Sequence, residues 1–151
     1  MLRFVYKVKF LKSSLQLNDE DYDKLSDHER IRIDEFDTDR FFDFDDTDGY
    51  TWYVITDAIE MKVLLGILSG NLIEVSCKNL SSDILSKKIN LESDINAHIN
   101  KLNSKKFKIF ISELNKWIYQ NLDMDTVLDR ISESGIESLT ETEQLFLNNF
   151  K

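Results

Sequence analysis

Apolar and polar positions alternate at the start of the chain, where Leu2, Phe4, Tyr6, Val8 and Phe10 are separated by mostly basic or polar residues. A period of two places such side chains on one side of an extended backbone, so the pattern predicts a strand with one buried face. Ile31 and Ile33, set between Arg30, Arg32 and Asp34, predict a second, shorter strand. Phe42 and Phe44, then Trp52 and Val54, predict two more, joined as a hairpin through a turn-rich stretch ending in Asp48-Gly49. Asp57 followed three residues later by Glu60 marks a helix start. Ile59, Val63, Leu64, Ile67 and Leu68 trace its expected buried face, which stops near Gly70-Asn71, and residues 72–77 return to strand.

From Ser82 onward the period is helical. Leu91, Ile95, Ile99 and Leu102 make one face; Phe107, Phe110, Ile111, Leu114, Trp117, Ile118 and Leu122 make a longer one. Met124, Val127, Leu128 and Ile131 fall at i, i+3, i+4 and i+7, and Gly135 is expected to end that stripe by taking the left-handed conformation that closes a helix. Ile136 is then expected to fold back onto Ile131 in a Schellman-type cap. Thr140 restarts helix through a capping box with Glu143, and Leu145, Phe146 and Phe150 supply its apolar face. Strands first and helices later predict an α+β fold: an N-terminal, mostly antiparallel sheet of four to five strands, then a helical half ending in a helical hairpin. We expect a body at 1–122 and a hairpin tail at 123–151 packed on the same domain.

The tail string MDTVLDRISESGIESLTETEQLFL resembles the short C-terminal tail of bacterial rhomboid-family intramembrane proteases. Asp125, Leu128, Asp129, Ile131, Gly135, Ser138, Leu139, Thr140, Glu143 and Leu147 stand at the matching positions. The resemblance implies a portable helical module of a bacterial protein, fused to different partners. It implies no protease activity, because no rhomboid membrane segments or catalytic serine and histidine motifs stand upstream.

Charge sharpens the picture. Residues 19–48 hold 14 acidic and 4 basic side chains, a local charge of −10, whereas the chain as a whole carries −9. A segment of this kind repels nucleic acid and anionic membranes and favours a basic protein partner. The lone Cys77 excludes an intramolecular disulfide and a thiolate zinc cluster, and it points to a reducing, cytoplasmic compartment. The interleaved basic residues of MLRFVYKVKFLK break the uninterrupted ~7–15 apolar residues that a secretory signal needs. The longest apolar run, 63–68, is far shorter than the ~18–20 residues of a membrane span.

Carboxylates crowd in FFDFDDTDG. The spacing Asp43-x-Asp45-x-Thr47 resembles the first motif of haloacid-dehalogenase-type phosphohydrolases, and Ser69, after the apolar run, resembles the second. That resemblance implies Mg²⁺-dependent hydrolysis with Asp43 as nucleophile and Asp45 as acid/base. The chemistry also requires Asp43 to close a buried parallel strand, whereas the preceding EFDTDR is polar and 63–68 reads as helix. An EF-hand fails, because Gly49 at loop position 6 puts Phe44 at position 1 and Ile55 at position 12. Looser cation binding by Asp43, Asp45, Asp46 and Asp48 is left open, against the simpler reading of a solvated Asp-rich turn. Cys77 with His28 or His98 makes a thiol and base only if the fold unites them; both Cys77 and His98 are expected on apolar faces. Lys105, Lys106 and Lys108 around Phe107 read as a solvated helix face.

The sequence therefore points to a non-catalytic protein–protein interaction module with an acidic surface, immunity- or antitoxin-like in one version, with no cofactor. The alternative is the phosphohydrolase using Asp43 and Asp45. A third class, a structural subunit, requires self-association through exposed Trp or Phe.

Overall fold

The computed structural model describes residues 2–11, 23–36, 38–46, 49–97, 99 and 103–149. Its fold is α+β, built on one antiparallel sheet of β1 (Arg3–Phe10), β2 (Phe41–Asp46), β3 (Gly49–Asp57) and β4 (Val75–Asn79) in the order β2-β3-β1-β4. The expected β2–β3 hairpin is present, with Phe42 opposite Tyr53 and Phe44 opposite Thr51. β1 lies between β3 and β4, pairing Val8 with Trp52 on one side and with Cys77 on the other.

The alternation in β1 predicted one buried face, yet both faces are covered. Tyr6, Val8 and Phe10 are buried towards α1 (Asp27–Asp34) and α2 (Ala58–Gly70), while Val5 is buried on the opposite side, against the C-terminal helices. On that second side Phe42, Tyr53 and Ile55 pack with Phe107, Phe110 and Leu114 of the long helix α5 (Ser104–Asn121). The predicted stripe of α5 is the buried one, because a 3.6-residue period leaves a single apolar side for the sheet to cover. Trp117 fixes its far end by donating its indole N–H to the Arg3 carbonyl at 2.9 Å.

Ile31 and Ile33 are in a helix, not a strand. Ser26 and Glu29 form a capping box that starts α1, with the Ser26 N–H 2.9 Å from the Glu29 carboxylate and the Glu29 N–H 3.2 Å from the Ser26 hydroxyl. Two reciprocal hydrogen bonds satisfy donors that the first helical turn would otherwise leave orphaned. A two-residue alternation is weak against that signal.

Asp57 caps α2 as expected, accepting the Glu60 N–H at 2.8 Å. Of the expected face of α2, Leu64 and Leu68 are buried and Ile67 packs beside them, while Ile59 and Val63 are exposed and Met61 takes the inward position in their place. This helix is apolar nearly all round, so its period left the choice of face to the sheet beneath it. β4 begins at Val75 rather than Leu72, which is 80 % exposed at a φ of 60° and ends the turn after α2. The helical face expected over 91–102 is interrupted: α4 spans Leu91–Asn96, Ile99 packs on the core outside it, and Leu102 lies outside the described residues.

The helical pair at the C-terminal end is α6 (Met124–Ser134) and α7 (Glu141–Asn149), joined by a short 3-10 turn. Gly135 closes α6 at a φ of 83°, its N–H reaching the Ile131 carbonyl at 2.8 Å. Its ψ of 161° carries the chain away from the helix, so Ile136 is exposed rather than folded onto Ile131. Leu139 takes the inward position instead, buried with Val127 and Leu122 against Leu85 and Ile118 of the body. Leu128 and Leu145 are exposed, while Phe146 packs inward; Phe150 lies outside the described residues.

Candidate functional site

Asp43 stands in the middle of the edge strand β2, in an antiparallel hairpin. The Tyr50 hydroxyl donates to its carboxylate at 2.6 Å, and the Lys106 ammonium lies 3.3 Å from its other oxygen while also resting 5.2 Å from the centre of the Phe41 ring. A carboxylate held by a phenol and an ammonium is a structural pin for the edge strand. Every strand pairing in the sheet is antiparallel, and 63–68 lies inside α2, so the strand ends that a haloacid-dehalogenase site uses are not formed at Asp43 or Ser69. Thr47 and Asp48, with the side chains of Asp45 and Asp46, lie outside the described residues. Among the described residues, no three His, Cys, Asp or Glu side chains group as metal ligands.

Cys77 is exposed on β4, against the expectation that strand alternation would bury it. β4 is an edge strand, and its last four residues are exposed. Partial desolvation pushes the thiol above its ordinary value, the opposite of an activated thiolate. His28 stands exposed on α1, with no hydrogen bond to Cys77; His98 lies outside the described residues. Of the lysines around Phe107, Lys106 is engaged by Asp43. Trp52 and Trp117 are both buried, so neither offers the exposed indole that self-association by a structural subunit would use.

The acidic segment is most clearly displayed on α1. Ile33 faces the core, which turns Asp27, Asp34 and Glu35 outward around Ile31, itself 59 % exposed. Arg32 turns aside to bind Glu35 at 2.6 Å and Glu60 of α2, and the Asn71 amide donates to Glu29 at 3.1 Å. These contacts tie α1 to both the first turn and the C-cap of α2. The Ser26 backbone N–H, then the Asn71 amide, hold the Glu29 carboxyl below the usual carboxylate range. The capping box consequently weakens as pH falls through that lowered value.

A second charged constellation escaped the sequence reading. Glu143, 1 % exposed, receives Arg130 of α6 and the Lys87 ammonium at 2.5 Å, while closing the capping box with Thr140. Arg130 also donates to the Leu85 carbonyl, and Lys87, at a φ of 60°, to the Ser138 carbonyl at 3.0 Å. Burial, with Arg130 nearby, draws the Lys87 ammonium below its ordinary value. The capping box was legible; that its carboxylate would be buried between two distant cations was not. This cluster borders a concavity of about 560 Å³ lined by Ile84, Leu91, Leu114 and Ile118. A smaller one of about 280 Å³ lies at the sheet end, where Arg3, Arg32 and Arg40 meet Glu35, Asp57 and Glu60.

Among the described residues two buried polar side-chain groups have no hydrogen-bond partner, the Thr51 hydroxyl and the Trp52 indole N–H. The Thr51 hydroxyl on β3 is without a hydrogen-bond partner at 1 % exposure. Thr51→Val, which keeps the shape and β-branching but removes the stranded hydroxyl, is expected to stabilise the protein by about 1 kcal/mol. Urea denaturation checks this, and a loss of stability would mean that the hydroxyl has a partner.

No protein-family model, curated protein or solved structure matches this chain. No helix among the described residues is long and apolar enough to cross a membrane.

Proposed function

We propose that the protein is a non-catalytic protein–protein interaction module whose acidic surface engages a basic protein. The supporting observation is the outward face of α1, where Asp27, Asp34 and Glu35 surround an exposed isoleucine in the most acidic part of the chain. Asp43 is engaged by Lys106 and Tyr50 on the edge strand, and Glu35 of the α1 face is likewise shared with Arg32. In the immunity- or antitoxin-like version, the acidic face covers a cationic enzyme. Long-range attraction then accelerates association and makes it sensitive to salt. Residues 124–150, which resemble a rhomboid-family tail, fit such a protein as an appended helical module.

The test is affinity capture on the full chain at low ionic strength. A basic protein is expected to be retained, to elute as salt rises, and to be lost from the Asp27→Lys/Asp34→Lys variant. Retention of nothing, or of a partner indifferent to that charge reversal, would end the reading.

A further inference from the structure

We infer that the concavity between the body and the C-terminal helical pair binds a small monoanion with an apolar body, of the medium-chain carboxylate class, through Lys87 and Arg130. The site lies across the sheet from α1, among the side chains that pack with Val5, and stands independently of the acidic face. Its floor is apolar. Ile84, Leu91, Leu114 and Ile118 line a volume of about 560 Å³, inside the span of about 300–1,000 Å³ usual for small-molecule sites. Lys87, Arg130 of α6 and the start of α7 complete the lining with charged and polar groups.

Hydrogen-bonding capacity decides the sign of the ligand. Glu143 already accepts from the Thr140 N–H, the Thr140 hydroxyl, Lys87 and Arg130, which uses up the lone pairs of a carboxylate, and at 1 % exposure it has nothing left to offer. The cations are not used up. An ammonium brings three donors and a guanidinium five. Lys87 spends two of its three on Glu143 and the Ser138 carbonyl, and Arg130 spends two of its five on Glu143 and the Leu85 carbonyl. Among the described residues the other N–H groups have no acceptor, although the side chains are only 34 % and 14 % exposed. Two cations thus share one buried carboxylate. Burial draws both below their ordinary pKa, helped at Lys87 by Arg130, and a second counter-charge would relieve that cost. Glu92 and Glu141 also line the concavity, but both are exposed, where water and salt screen them. A carboxylate matches the guanidinium fork, and the apolar floor selects a hydrocarbon body behind it.

Isothermal titration calorimetry on the full chain compares octanoate, octanol and octylammonium, which share a tail and differ only in the head. Octanoate is expected to bind about tenfold tighter than octanol, and octylammonium no tighter than octanol. Lys87→Asn removes one cation with a residue type that tolerates the φ of 60°, and it leaves Arg130 matched to Glu143. It should bring octanoate down to the level of octanol and leave octanol unchanged. Ile118→Trp, which fills the floor, should weaken both. Tighter binding of octylammonium would overturn the proposal by giving the carboxylates control of the site. Equal binding of all three heads would overturn it by reducing the concavity to an apolar recess, and so would octanoate that fails to bind at roughly millimolar concentration or that binds folded Lys87→Asn like the parent. The comparison of heads uses the parent protein, so it decides the matter whether or not the variants fold.

Discussion

Glu143→Ala is expected to cost about 3–5 kcal/mol, the usual penalty for removing one partner of a buried ion pair. The loss has two sources. Arg130 and Lys87 remain partly buried with no counter-charge, and α7 loses the carboxylate that caps it through the Thr140 N–H. Because Glu143 joins α6, α7 and the segment after α3 (Ser81–Leu85), the helical pair should loosen from Leu85 and Ile118 before the sheet unfolds. Urea titration gives the magnitude, and hydrogen exchange at 124–149 gives the location. The double variant Glu143→Leu/Arg130→Met should recover part of the loss, since an apolar pair of similar volume needs no desolvation of charge. A change below about 1 kcal/mol in Glu143→Ala would show that the cluster is solvated and energetically minor.

Phe42→Ala should cost a similar amount, about 3–5 kcal/mol, through lost apolar burial and the cavity left behind. Phe42 is fully buried on an edge strand, and its ring lies 5.8 Å from that of Phe107 and 5.9 Å from that of Phe110. It therefore couples β2 directly to α5, and among the described residues no strand pairs with the far side of β2 to share the load. For a chain of this size the expected fall in Tm is roughly 10 °C, at about 2–4 °C per kcal/mol. Phe42→Leu should restore more than half of it. If calorimetry returned equal losses for both variants, ring packing would not be what holds α5 to the sheet.

The contrast between these two positions shows how far the residues speak for themselves. Phe42 was placed correctly from its alternation with Phe44, because a period of two sets both on the same face of β2, the one that α5 covers. Glu143 was read correctly as a cap and missed as a buried ion, since a cap depends on Thr140 three residues away while burial depends on Lys87 and Arg130 arriving from elsewhere. The candidate site divided in the same way. The excess of acid was plain in the composition, but its emphasis moved from Asp43 to α1 once Lys106 and Tyr50 were seen to hold Asp43.

What the amino-acid order determined by itself is local: the β2–β3 hairpin, the apolar stripe of α5, the caps at Asp57 and Thr140, and the α+β class that follows from them. Each of these is written within a turn or two of backbone, where periodicity and side-chain-to-backbone hydrogen bonds act. The helix that holds Ile31 was also written locally, in the Ser26–Glu29 capping box, but tertiary structure alone decided that Ile31 faces solvent, that α2 buries Met61 rather than Ile59, and that Cys77 is exposed. Those outcomes turn on which distant surface covers a side chain, and an apolar residue carries no record of which of two faces its neighbours will claim.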